Sequence, residues 1–398
     1  MAPPSTVLLG GANARNRTSS HHHIVTVRIS PAKRIRVRIV PSTSIPVSLL
    51  KRSTSVRFPP EWTEQSAVLL AWPFADGDFS PWLKDVENTY GQIAREIARR
   101  QKLVVACRNE AHRAHIESLL PRFGVSLDRV HLVELPYNDV WVRDTAPLSV
   151  ETEQGPRLLD FRFNGWGNKY EHGDDALLAY RLHALEVFGE TPRVSVDFVL
   201  EGGSLETDGA RTLLTTARCL LNPNRNPQFD QSQIEAHIKE VFGLDRVLWL
   251  HHGHAEGDDT DAHVDTLARF CSADTIAYTA CDDANDPLYT DLRAMEDELK
   301  NLRMTNGQPY RLVPLPIPKA IYSEDGDRLP ATYANFLIIN GAILLPVYGD
   351  PADAVAIERL QPCFVDREIV PIPATPLIRQ YGSIHCMTMQ FPKSIAVA

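Results

Sequence analysis

The sequence predicts a mixed α/β body from residue 58 to the C-terminus, preceded by a basic tail. Three observations carry this. Short apolar runs of strand length alternate with stretches of helical period. No linker-like stretch divides residues 58–398, so the alternation belongs to one domain, placed at residues 56–398. Polar clusters that end the apolar runs recur at a step of roughly 60 residues, which suits a propeller of small supersecondary units.

In chain order, Val86, Tyr90, Ile93 and Ile97 share one helical face, and Leu103 to Cys107 reads as a buried strand. Glu110 to Leu120 is expected helical and Val130 to Leu135 extended. Asp174 to Phe188 is expected helical, followed by strands at Val194 to Leu200 and Arg211 to Thr216. Gln231 to Phe242 reads as helix, Val247 to Leu250 as strand. Thr266 to Cys271 and Thr275 to Ala280 read as strands around a turn, and Asp286 to Leu302 as helix. Phe336 to Val347 is the richest apolar stretch. Asn340 and Gly341 break it into two strands and a turn, so it falls short of the ~18 residues a membrane span needs.

Composition narrows the classes further. With 43% hydrophobic and 23% charged residues, the chain is globular, and six Cys in 398 residues are too sparse for a disulfide scaffold. Residues 1–60 hold ten Lys or Arg and no Asp or Glu; the remainder holds 31 against 50, a net of −19. An acidic body fits a small cationic substrate and argues against nucleic acid as its partner. Residues 1–55 are expected to be a disordered tail or an upstream start. An Arg-rich organelle-targeting peptide is the second reading and a basic nucleic-acid arm the third; no clean apolar core marks a secretion signal.

Four segments carry candidate chemistry. Asn138 to Pro147 places Trp141, Arg143 and Asp144 where a strand gives way to a loop. A carboxylate beside an aromatic wall can bind a planar cation, yet taken alone a surface Arg–Asp pair beside a packed Trp explains the segment better. Glu201-Gly202-Gly203 follows the apolar Phe198-Val199-Leu200; alone it reads equally as a hairpin turn. His251 to Asp265 is dense in His and Asp without H-E-x-x-H or paired-Cys spacing. On extended backbone His263 and Asp265 share a face, an acid/base candidate, and metal, catalysis and a solvated acidic loop stand level there. In Tyr381 to Thr388, Cys386 follows a Gly-Ser turn; a nucleophilic thiolate competes with an ordinary buried Cys. From Asp144 to Glu201 is 57 residues, from Glu201 to His263 62, and from His263 to Cys386 123, close to a doubled step.

Taken together, these segments resemble the agmatine deiminases and bacterial-type peptidylarginine deiminases of the guanidino-group-modifying superfamily. The match begins at Phe58-Pro59-Pro60-Glu61-Trp62. It continues through Ala71-Trp72-Pro73, Trp141-Val142-Arg143-Asp144, Phe161 to Gly167, Glu201 to Ser204, Leu221 to Pro227 and Asp258 to Asp265, and ends on Gly382 to Cys386. It departs from the family pattern at Ala146 and Ser383, where many relatives carry Gly and Asn.

The resemblance implies a five-bladed pseudo-symmetric α/β propeller of ββαβ units and metal-free hydrolysis of a guanidinium, with no cofactor. By motif position it makes Cys386 the nucleophile, His263 the general acid/base and Glu201 the carboxylate that orients it. Asp144 and Asp265 become the carboxylates that grip the guanidinium, and Trp141 a wall of the pocket. Agmatine is the expected substrate, a small dication that the acidic body suits, with N-carbamoylputrescine and ammonia as products in putrescine formation or arginine/agmatine breakdown. Arginine in a peptide is the runner-up. A metal hydrolase using the His251 to Asp265 loop and a non-catalytic binding relative are the readings outside the class. A cytoplasmic protein without a membrane partner is expected, and a homo-oligomer is compatible with it.

Overall fold

The computed structural model describes residues 24–30, 33–38, 56–254 and 256–398. The chain divides into two compact units, Met1–Ser44 and Ile45–Ala398. In the first, Ile24–Ser30 and Lys33–Arg38 pair as an antiparallel ribbon. That agrees with the alternation of charged and apolar residues at Arg34 to Val40; the rest of the expected tail lies outside the described residues.

The second unit is a mixed α/β structure with five small mixed sheets among its described residues. Four sheets share one plan: an antiparallel hairpin, then a helical crossover, then a third strand that pairs parallel to the second. Leu148–Thr152, Gly155–Arg162 and Arg193–Val199 form one. Glu206–Thr207, Thr212–Thr216 and Arg246–Leu250 form the next, across helix Gln231–Phe242. Ala268–Ser272, Thr275–Thr279 and Arg311–Leu315 follow, across helix Tyr289–Asn301. Leu337–Ile339, Ala342–Val347 and Glu368–Pro373 complete the series, across helix Ala352–Leu360. The fifth sheet joins the two ends of the unit. Thr388–Pro392 pairs antiparallel with Gln65–Ala71, which pairs parallel with Lys102–Cys107 and through it with Val130–Glu134.

The helices earn their place through apolar faces. Along Leu83–Ala98, Val86, Tyr90, Ile93 and Ile97 are all buried, and each contributes roughly 1.5–3 kcal/mol on burial. Helix Gln231–Phe242 starts on a capping box, Asp230 with Gln233, and stops at Gly243 in the left-handed region.

Two helices are shorter than expected. The one expected at Asp174 to Phe188 is a helical turn at Asp175–Leu177 followed by Leu178–Ala184. Glu186 has φ of +57°, which turns the chain so that Val187 and Phe188 enter the core. The one expected from Asp286 starts at Tyr289, because the Asp286 carboxylate binds Arg328 and the Leu288 N–H instead.

Each sheet's hairpin is preceded by a short lead-in segment, and these segments hold the candidate site residues. Asp144 lies on the turn Val142–Thr145, four residues before Leu148. Glu201 precedes the turn Gly202–Ser204, and His263 precedes Val264–Thr266, which contains Asp265. Cys386 stands two residues before Thr388. The remaining sheet offers Asn335, two residues before Leu337.

Candidate active site

All six candidates for reaction or substrate binding, Trp141 included, are buried, and they come from four lead-in segments. Gly203 shows how tightly they converge. A Cβ on Gly203 would stand 2.6 Å from His263 Nδ1, 2.9 Å from Asp144 Oδ1 and 3.1 Å from Asp265 Oδ2. Gly202 is fixed as firmly, since a Cβ there would meet the Arg143 carbonyl at 2.2 Å. The pair of glycines after Glu201 is therefore required by close approach rather than by a turn.

Asp144 is held by two donors: the Gly203 N–H at 2.9 Å on Oδ1 and the Trp166 indole N–H at 2.9 Å on Oδ2. Trp166 reaches it from a left-handed backbone, φ +53°, between Gly165 and Gly167. Burial raises the Asp144 carboxyl, with His263 working against it. Asp265 differs. Its Oδ2 lies 2.7 Å from His385 Nδ1, while the buried Oδ1 has no hydrogen-bond partner. Burial opposes its charge, but the hydrogen bond and charge of His385 outweigh it and hold the carboxyl below the usual range.

His263 is fully buried, with Nδ1 3.7 Å from Asp144 Oδ1 and Nε2 4.0 Å from Glu201 Oε2. No oxygen hydrogen-bonds either nitrogen. Burial disfavours the charged ring, but Asp144, the Cys219 sulfur and Glu201 prevail and push His263 up to about 10. It is thus a proton donor at neutral pH. Glu201 is itself clamped: Arg225 Nε donates to both its oxygens, at 3.0 and 2.9 Å, with both side chains inaccessible. Arg225 also binds Asp261 at 2.6 Å and the Thr260 carbonyl at 2.9 Å.

The Cys386 sulfur lies 3.5 Å from Asp265 Oδ2 and accepts from Asn335 Nδ2 at 3.1 Å. Burial, then Asp265 and Asp144, push the thiol well above its ordinary value. The resting group is the thiol, and a cation placed between those carboxylates would favour the thiolate. A cleft ends on this sulfur. Asp78, Asp139, Trp141, Trp166, Asp259 and Gln380 line it among others, and no Lys or Arg does. Of the three carboxylates in the run Asp258 to Asp261, Asp259 lines the cleft, beside Thr260, with Lys169 at 3.7 Å and the Tyr170 hydroxyl donating to it; Asp258 binds Thr260 and the Ala262 N–H, and Asp261 binds Arg225 and Lys169.

Among the described residues, two clusters have donor atoms close enough for a metal, Glu201–Cys219–His263 and Glu61–Glu206–His385. In both, carboxylates are already paired with a guanidinium, Arg225 in the first and Arg269 in the second. His251 and His252 are exposed, and neither belongs to a cluster that could hold a metal among the described residues.

The pattern that defines the Porphyromonas-type peptidyl-arginine deiminases matches residues 57–392. This chain belongs to that family. An agmatine deiminase of Pseudomonas putida is 34% identical over 86% of this chain and 97% of its own. A C. jejuni agmatine deiminase variant solved with substrate bound has a TM-score of 0.79 at 34% identity, covering 86% of this chain and 98% of that one. A Porphyromonas gingivalis protein provisionally called an arginine deiminase has a TM-score of 0.81 at 47% identity, covering 86% and 100%.

In this deiminase-family chain, sequence reasoning missed the residues that hold the named ones in place. Asn335 is the clearest. It donates to the Cys386 sulfur and accepts from the His385 and Cys386 N–H groups at 3.0 and 3.3 Å. The signal existed: the 123-residue step from His263 to Cys386 left room for one more unit, and Asn335 is its contribution. Arg225, Trp166, His385 and Glu61 all lay inside quoted motifs without being assigned a role.

Proposed function

We propose that this chain hydrolyses the guanidinium of agmatine to N-carbamoylputrescine and ammonia through a covalent amidino intermediate on Cys386. The five ββαβ units would surround the site as blades of a propeller. The observation that carries the reading is the cleft: it ends on a thiol flanked by two carboxylates, and further out it presents Asp78 and Asp139 with no cationic side chain lining it.

Asp144 and the free Oδ1 of Asp265 would grip the two N–H edges of the guanidinium and fix its plane. The bound cation offsets the carboxylates that raise the thiol, and Cys386 gives up its proton to water at the cleft. The sulfur then bonds to the guanidinium carbon. The tetrahedral adduct collapses as His263 gives its proton to one terminal nitrogen, that C–N bond breaks, and ammonia leaves. His263, now neutral, takes a proton from water, whose oxygen bonds to the same carbon. The adduct's hydroxyl proton passes to the sulfur as the C–S bond breaks, so the resting thiol is restored and the product carries a neutral ureido group. Glu201, held by Arg225, stabilises the charged form of His263 across 4.0 Å.

The relatives named agmatine deiminase support the substrate, and so does the cleft. Agmatine brings a guanidinium and an amine, and the two outer carboxylates match the amine. Free arginine, the reading that the 47% identical neighbour favours, brings an α-carboxylate, for which the cleft lining has no Lys or Arg. The pathway would be putrescine formation or arginine/agmatine breakdown. Ammonia release from agmatine, free arginine and a peptidyl-arginine, compared side by side, tests the reading. Agmatine should have the highest kcat/KM by at least about tenfold. Cys386→Ala should abolish turnover with the fold retained, and quenched wild-type protein should carry an amidino adduct on Cys386. A peptidyl-arginine turned over as well as agmatine would reject agmatine as the substrate.

A further inference from the structure

Glu61, at the start of the body, has no part in the chemistry described so far, yet it is tied into the floor of the site. Its Oε2 accepts from His385 Nε2 at 2.7 Å, across 324 residues of sequence, and from Arg269 Nη2 at 2.8 Å. Its Oε1 accepts from the Ile338 N–H at 2.6 Å. The other ring nitrogen of His385 meets Asp265 Oδ2 at 2.7 Å. His385 is thus a bridge with a carboxylate at each end, and one of those carboxylates touches the Cys386 sulfur.

The hydrogen bonding fixes the charge of the bridge. Burial opposes ionisation of Glu61, but His385 and Arg269 outweigh it and hold the carboxyl far below its usual range; Asp265 is also held low. Ionised carboxylates only accept, so the two 2.7 Å contacts are both met by a ring with a proton on each nitrogen. Asp265 has one oxygen anchored on this cation. Its other oxygen, buried and unpartnered, is the one left for a ligand. Without a carboxylate at Nε2, nothing keeps the second proton on the ring or the ring in this orientation.

We propose that Glu61 is a positioning residue for the deimination, acting through His385 to keep Asp265 ionised and its free oxygen aimed at the guanidinium. This rests on Asp265 as a substrate carboxylate. The charged and titratable groups around His385 are Asp265, Glu61, Cys386, Arg269, Arg143 and Glu206. Glu61 alone among the carboxylates binds the imidazole on the side away from Asp265. Glu61→Gln keeps the shape and the Ile338 contact, and its amide would donate to Nε2. His385 would then be neutral, protonated only on Nδ1, and the positive charge beside Asp265 and Cys386 would be gone.

Two measurements on the full chain test this. Steady-state kinetics with agmatine across pH separates KM from kcat. Alkylation of Cys386 by iodoacetamide against pH, read by mass spectrometry of its peptide, follows the thiol without any substrate. Glu61→Gln should raise KM about tenfold with a smaller change in kcat. It should also move the alkylation limb up by about one pH unit. His385→Asn, which leaves the Glu61–Arg269 and Glu61–Ile338 contacts in place, should move both readouts the same way and serves should Glu61→Gln not fold. Folded variants with unchanged KM and an unmoved alkylation limb would overturn the proposal. A wild-type chain that releases no ammonia from any of the three guanidines would overturn the substrate reading instead. The alkylation limb would then decide the role of Glu61: movement supports it, and no movement overturns it.

Discussion

The floor of the site and its outer cleft treat charge in opposite ways. On the floor, the side chains of Asp144, Asp265, Glu201, Glu61 and Glu206 are interleaved with His263, His385, Arg225, Arg269 and Arg143, five acidic groups beside five basic ones. Acidic and basic side chains are matched in number there. A guanidinium entering such a place adds a positive charge, which loss of the Cys386 proton would offset. In the outer cleft, Asp78 and Asp139 line the same wall, with no Lys or Arg among the described lining residues. Asp139 is pushed up to about 6, chiefly by burial and then by Asp78, with the hydrogen bond from the Val140 N–H working the other way. Balance serves geometry and proton transfer on the floor, and imbalance serves attraction outside it.

The comparison predicts that breaking a floor pair damages the fold, and that disturbing the outer cleft changes only which substrate is favoured. Arg225→Met would leave Glu201 buried without its cation. It should cost roughly 3–5 kcal/mol of stability, read as a lower denaturant midpoint, and Glu201→Gln in the same chain should recover part of it. Gly203→Ala strikes where floor and substrate meet. Its methyl group would separate His263, Asp144 and Asp265 and shift the Gly203 N–H off Asp144. Displacement of about 1 Å at a reacting centre is worth on the order of a hundredfold in kcat/KM. A folded Gly203→Ala variant with wild-type kinetics would show that the three groups need not converge as closely as they do here.

Legibility in the sequence followed the same division. The candidate groups Cys386, His263, Asp144 and Asp265 were legible only together: each segment alone has a bland reading as good or better, and it was their ordered combination that pointed to one chemistry. The fold class was legible for a related reason, since strand-length apolar runs and helix-period stretches alternate along the body. The floor was not legible. Arg225, Arg269 and Glu61 look in sequence like solvated charges, and only the joining of distant segments makes partners of Glu61 and His385. Helix ends were missed where a single side chain found a better partner, as Asp286 did in Arg328. Asp139 was visible but unassigned, because its meaning depends on Asp78, 61 residues earlier, lining the same cleft.

The smallest expected effect is the most specific to the outer cleft. If Asp139 attracts the distal amine, it does so only when ionised. Its carboxyl sits at about 6, so it is charged at pH 7.5 and becomes neutral as pH falls through 6. For agmatine, kcat/KM should then lose an extra factor below pH 6 that n-butylguanidine, with the same reacting group and no amine, does not lose. Taking the ratio of the two substrates removes every titration they share, including those of Cys386 and His263, because kcat/KM reports the free enzyme for both. The ratio should be flat above pH 7 and fall by about tenfold towards pH 5, the scale expected for one partly solvated ion pair. Asp139→Asn should hold the ratio at its low value at every pH, with n-butylguanidine itself unaffected. A ratio that stays pH-independent in the wild-type chain would place the amine elsewhere in the cleft, with Asp259 as the next carboxylate to examine.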